Sequence, residues 1–126
     1  MFALTNGVAW FEISADHPDE AEKFYGEVFN WQFKKIAEAS GYRAIKAPGQ
    51  SIAGALVTAG GDVPTYATFG VIVEDVHATC AAAEAAGGKV LVEPRSMGPT
   101  GMTFAYLADP SGNLLGISSL PEGAAG

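Results

Sequence analysis

ISADHPDEAEKFYGEVF at residues 13–29 is answered by VIVEDVHATCAAAEAAGG at residues 71–88. Each opens with an apolar run, passes through acidic or polar residues, and continues with apolar side chains at helical spacing. Both read as a strand feeding a helix. Asp16 or His17 stands near the first helix start with Pro18 in the first turn, where its missing N–H costs nothing. Asp75 is an N-cap for the second helix, which Gly87 and Gly88 stop.

Working outward, Val8–Ser14 is the strand ahead of the first helix, and Ala21, Phe24, Tyr25, Val28 and Phe29 give that helix a face built for burial. Trp31–Ile36 alternates, Tyr42–Ala47 is short and extended, and Ile52–Thr58 follows the turn PGQS. The string AGGDVPT breaks both periodicities and serves as linker. Phe69, Val71 and Val73 then share one strand face, and Val76, Thr79, Cys80 and Ala83 repeat the helical spacing with smaller residues. Lys89–Glu93 is a strand, and Met102–Ala108 turns through DPSGN into Leu114–Ser119. The tail PEGAAG is expected to fray.

The fold expectation is therefore α+β: two tandem βαβββ modules, residues 8–58 and 67–119 with a linker over 59–66, in one domain spanning 1–126. Curved mixed sheets, each with a helix outside, would enclose a cavity or groove between concave faces.

Composition narrows the function classes. The chain has 126 residues, 48% apolar and 17% charged, which suits a folded core rather than disorder. Its net charge is -7, and its seven basic residues are scattered, so nucleic acid is not an expected partner. MFALTNGVAWFEIS lacks a basic n-region, and no segment reaches the roughly 18 apolar residues of a membrane span. A cytoplasmic protein with no membrane partner is the expectation. The single cysteine, Cys80, excludes an internal disulfide and reads as core. The strings AGGK and GPTG lack phosphate-loop spacing and read as turns.

The strings WFEI, EKFYGEVFNW, YRAIKAPG, IAGAL, AAGGKVLVEP and FAYLADPSGNLLGI, in this order over almost the whole chain, resemble the vicinal oxygen chelate superfamily. This is the glyoxalase, bleomycin-resistance and extradiol dioxygenase group, and the nearer likeness is to its glyoxalase-like branch. The resemblance implies a homodimer. In metalloenzymes of the group, ligands come from the first and last strand of each module, usually as His, Gln or Glu. Carried over, those positions are Trp10, Phe69, Gly116 and either Ala53 or Gly54, none of which supplies a metal-binding side chain. No metal and no other cofactor is expected. His17 and His77 stand at helix starts in different modules and read as solvated or cap-adjacent.

Strand alternation puts Trp10, Glu12 and Ser14 on one face, which in a family-like module lines the cavity. Glu12 is the candidate general acid or base, a ligand anchor, or the structural partner of a buried Arg or Tyr. Trp10 and Phe69 at lost ligand positions would offer an apolar wall to a flat molecule. Tyr106 is a further candidate whose facing alternation leaves open. The leading function is a small-molecule binding protein of the bleomycin-resistance type, taking a small hydrophobic or cationic molecule. A metal-free isomerase or lyase using Glu12, and a purely structural dimerising domain, are the alternatives.

Overall fold

The computed structural model describes residues 5–36, 42–60, 64–96 and 101–119. The middle of the expected linker, most of GPTG and the PEGAAG tail lie outside these residues. The element order is β1 (Val8–Ala15), α1 (Pro18–Phe29), β2 (Gln32–Lys35), β3 (Arg43–Lys46), β4 (Gly54–Thr58), then β5 (Tyr66–Ile72), α2 (Val76–Ala85), β6 (Lys89–Ser96), β7 (Thr103–Ala108) and β8 (Leu114–Ser119). This is βαβββ twice, an α+β fold as expected. The backbone forms two compact units, Trp10–Thr68 and the described parts of Met1–Ala9 with Phe69–Gly126, so the division falls inside β1 and inside β5.

In the first unit the strand order is β2-β3-β4-β1, with β4 parallel to β1 and the other neighbours antiparallel. Pro18 occupies the first turn of α1, and Asp19 and Glu20 there complement the positive end of the helix dipole. His17 is the N-cap residue but makes no side-chain cap bond. The helix ends at Asn30 in the left-handed conformation (φ 62°), its N–H bonding to Gly26 O at 3.0 Å.

One expectation for α1 is corrected. Phe24 and Val28 are each 55% exposed, and no residue of the helix is fully buried. The face turned inward carries Ala21, Glu22, Tyr25 and Gly26 instead, about one residue around from the expected stripe. Two contacts explain the rotation. Arg43 on β3 binds Asp19 at 2.7 Å and Glu22 at 2.8 Å, and the Tyr25 ring stacks on Trp31 at 5.1 Å with an interplanar angle of 9°. Trp31 in turn meets Phe11 of β1 at 5.3 Å.

In the second unit the order is β5-β8-β7-β6, with β5 parallel to β8 and the rest antiparallel. Asp75 caps α2 as expected, accepting from Ala78 N at 3.0 Å. Val76 and Cys80 of α2 pack with Val73, Ala105, Leu107 and Ile117 into a closed apolar core. Gly88 is required by close approach, since a Cβ there would stand 2.6 Å from Ala108 O. The β7–β8 turn is tied by Asp109, whose Oδ1 accepts from the N–H groups of Ser111 and Asn113, both at 2.9 Å. Strand β6 runs on to Ser96 through Pro94, longer than the sequence suggests, with two register irregularities against β7.

Candidate functional site

The register of the first unit sorts its side chains onto two faces. Ile13 stands opposite Leu56, Leu56 opposite Arg43, and Phe11 opposite Gly54. Arg43 reaching Asp19 and Glu22, and Phe11 meeting Trp31, show that this face carries α1. Gly54 is needed here, because a Cβ would lie 2.4 Å from the Phe11 ring. Glu12, opposite Ala55, which is itself opposite Ala44, therefore belongs to the face turned away from α1.

Glu12 is only 4% exposed, and its carboxylate is held from both sides. Trp10 Nε1 donates to Oε1 at 3.3 Å, and the Tyr66 hydroxyl donates to Oε2 in a short hydrogen bond. Bonds of this charge-assisted kind contribute about 1.5–3 kcal/mol each against leaving the carboxylate bare. The Tyr42 phenol is pushed up from its ordinary 10.0, first by burial and then by the negative charge of Glu12. Ser14, two residues along, donates to Pro64 O at 2.8 Å and so ties the same face to the segment that leads into Tyr66. A buried carboxylate, two phenols and an indole N–H over a floor of alanines form a polar centre with aromatic walls. Such a centre can anchor a donor or a cation, or move a proton.

The sequence candidates fall out unevenly. Trp10 and Glu12 are brought together. Tyr66 and Tyr42 were not singled out, because Tyr66 stood in the expected linker and Tyr42 at the edge of a short strand. The signal available was a hydroxyl-bearing ring at each strand start. Arg43, next to Tyr42 in the chain, is spent on the opposite face, where it binds Asp19 and Glu22.

In the second unit, Trp10 stands as far ahead of N-cap His17 as Thr68 stands ahead of N-cap Asp75. Phe69 accordingly matches Phe11, shares the strand face of Val71 and Val73, and is 43% exposed. Tyr106 lies opposite Gly116 on β8 and Val92 on β6, on the face turned from α2, with Phe104 edge-on at 5.9 Å. Cys80 is core, and burial pushes its thiol up.

At the strand positions that supply ligands in metalloenzymes of this resemblance, the chain offers the indole of Trp10, the hydroxyl of Thr68, the bare backbone of Gly116 and Gly54, and the methyl of Ala53. Among the described residues, no group of three or more His, Cys, Asp or Glu comes together. The donor set does not fit a bound divalent ion. No described helix is long and apolar enough to cross a membrane. Two shallow hollows, about 550 and 350 Å³, lie elsewhere, at the start of α2 and along α1.

The chain is 34% identical over 115 residues to "Putative glyoxylase CFP32" of Mycobacterium bovis, an alignment that takes 90% of this chain and 44% of the relative, so it spans less than half of that protein's length. It is 32% identical over 124 residues to a "Glyoxylase-like domain-containing protein" of Didymella fabae, covering 94% of this chain and 97% of that one. Among solved structures, methylmalonyl-CoA epimerase from Mycobacterium tuberculosis superposes with a TM-score of 0.64 at 20% identity, over 100% of this chain and 97% of the other. The Mn(II)-bound glyoxalase from Novosphingobium aromaticivorans gives 0.62 at 21% identity, over 94% and 40%. These two likenesses speak to the fold alone. The sequence profile of the Glyoxalase/Bleomycin resistance protein/Dioxygenase superfamily matches residues 7–117, and the chain belongs to that superfamily.

Proposed function

We propose that this protein binds a small molecule at the Glu12 face of its first unit, in the manner of the glyoxalase and bleomycin-resistance type, without the usual metal ligands. One observation carries the reading: a buried carboxylate oriented by Trp10 and Tyr66, beside Tyr42, on a sheet face floored by Ala44 and Ala55. Burying a carboxylate there costs desolvation that apolar side chains would not, which supports a use for the charge. The ligand class is a small hydrophobic or cationic molecule, and a homodimer is the expected form.

The test is a screen by tryptophan fluorescence. Trp31 belongs to the α1 aromatic stack and Trp10 to the Glu12 site, so each reports separately. Saturable quenching that survives Trp31→Phe and vanishes in a folded Trp10→Phe supports the proposal. Quenching that follows Trp31 alone, or none from any compound in a broad screen, overturns it. Light scattering settles the form, with a mass near 13.0 kDa removing the dimer.

The Tyr66 hydroxyl on the Glu12 carboxylate favours one second reading, a metal-free isomerase or lyase. Glu12 would take a proton from carbon beside a carbonyl, and a phenol would hydrogen-bond the enolate oxygen. Turnover abolished by Glu12→Gln, with substrate still bound, would favour it over simple binding.

A further inference from the structure

Helix α1 leaves an apolar stripe outside. Phe24 and Val28, one turn apart, are each 55% exposed and run along its outer surface. Phe29, though exposed, turns to the rings of Tyr25 and Trp31 at the helix end and stands outside the stripe. Beside Phe24 and Val28 stand Glu20, Lys23 and Glu27, and the five residues line a shallow hollow of about 350 Å³. Lys23 Nζ lies 3.9 Å from Glu27 Oε2, and the two side chains are 78% and 66% exposed. The other two acids of the helix, Asp19 and Glu22, are bound by Arg43, so this row is the outward charge of α1.

We propose that the stripe docks a second copy of this chain, with the two α1 helices packed antiparallel about a two-fold axis. An axis at the level of Gly26 sets Phe24 against Val28 of the partner subunit, and Val28 against the partner's Phe24. The same register is self-complementary in charge. It brings Lys23 level with the partner's Phe29, at a helix end that has no basic residue of its own and where a cation complements the dipole. The partner's Glu27 is then two residues away along the axis, about 3 Å, so two lysines and two glutamates gather at the seam and their charges cancel. A parallel pair would instead set lysine against lysine and glutamate against glutamate. A peptide of a single sign would meet one matching and one opposing charge in the same row, which favours a second copy over it. Two turns of helix fall short of the roughly 800 Å² per partner of a tight interface, so association is reversible and follows concentration. Because α1 covers the sheet face opposite Glu12, this contact gives the expected homodimer its surface and leaves the ligand reading independent.

The test is sedimentation velocity on the full chain over about 1 μM to about 1 mM, at physiological salt so that the net charge of -7 on each copy is screened. The mass should rise from 13.0 kDa toward twice that value with concentration, and Phe24→Glu should hold it at 13.0 kDa. Lys23→Glu and Glu27→Lys should each weaken association at least about tenfold. An equimolar mixture of these two variants should restore it, because each new charge then meets an opposite one across the seam. A mass of 13.0 kDa at every concentration would overturn this proposal and the homodimer together, leaving the small-molecule site to its own screen. A dimer indifferent to Phe24→Glu would overturn this face alone, and so would a mixture no more associated than its components. Should Phe24→Glu lose the fold by circular dichroism, the mixture carries the test, since both of its substitutions are at exposed positions.

Discussion

The two units share one βαβββ plan and use it in opposite ways. In the second, small residues on α2 let the helix close over an apolar core of Val73, Val76, Cys80, Ala105, Leu107 and Ile117. In the first, α1 is held at its rim by ion pairs to Arg43 and a stack of large rings, and much of its apolar surface stays outside. The opposite sheet face differs as well, with Glu12 and its tyrosines in the first unit and the Gly70–Gly116 pair in the second. Both halves of the duplicated architecture bury apolar side chains, Ile45 and Leu56 in the first and Val76 and Ile117 in the second, and they differ in how the helix is held and in the carboxylate that, among the described residues, only the first buries.

The sharpest way to break this contrast is truncation. Ile117→Ala, in the closed core, should cost about 2–5 kcal/mol in urea unfolding, while Phe29→Ala on the open rim of α1 should cost below about 1 kcal/mol. Equal costs would show that α1 is buried in solution by something else, and the contrast would fall. Gly54→Ala probes the first unit's tightest point. Its Cβ would strike the Phe11 ring, already set against Trp31, so a loss of about 1–3 kcal/mol is expected. The loss should shrink when Phe11→Leu is added, and an unchanged loss would disprove the ring clash.

Arg43 gives a pH signature. Its hydrogen bond and charge lower the Asp19 pKa from 3.8, so the folded carboxylate binds its proton less readily than the unfolded one. That stabilisation is present above 3.8 and lost as pH falls through the lowered folded value. The stability gap between wild type and Arg43→Met should therefore narrow as pH drops below about 3.8, and a constant gap would show the ion pair to be idle. The smallest effect concerns Tyr42. Its raised pKa means that its contribution to stability is full below 10.0 and declines as pH rises through the folded value. Ultraviolet titration should find the Tyr42 phenol late, and Glu12→Gln should bring it partway back, since burial remains after the charge is gone. A Tyr42 titration indifferent to Glu12→Gln would place the two groups apart.

Strand and helix order was legible because the signals were local: Pro18 and Asp75 at helix starts, Gly87 and Gly88 at a helix stop, DPSGN at a hairpin. The Trp10–Glu12 pairing was legible for the same reason, since alternation is a property of one strand. What escaped depends on partners distant in sequence. Tyr66 reaches Glu12 across 54 residues, and no spacing rule announces that. The facing of α1 escaped because Arg43, far along the chain, rotates it by binding Asp19 and Glu22. Phe69 was read one position off its match to Trp10, because the N-caps that fix the count are visible only once His17 is seen to occupy that position.

Strand β6 closes one side of the second unit's sheet, and its outer edge carries Lys89, Glu93, Pro94 and Arg95 along a ladder broken twice in register. A proline lacks the N–H that an incoming strand would need, bulges twist the edge out of line, and charges repel a close apolar neighbour. Strand β2 ends the first unit's sheet with Lys34 and Lys35. Both outermost strands are thereby poor templates for edge-to-edge growth, which disfavours the cross-β pairing that a β-rich chain invites.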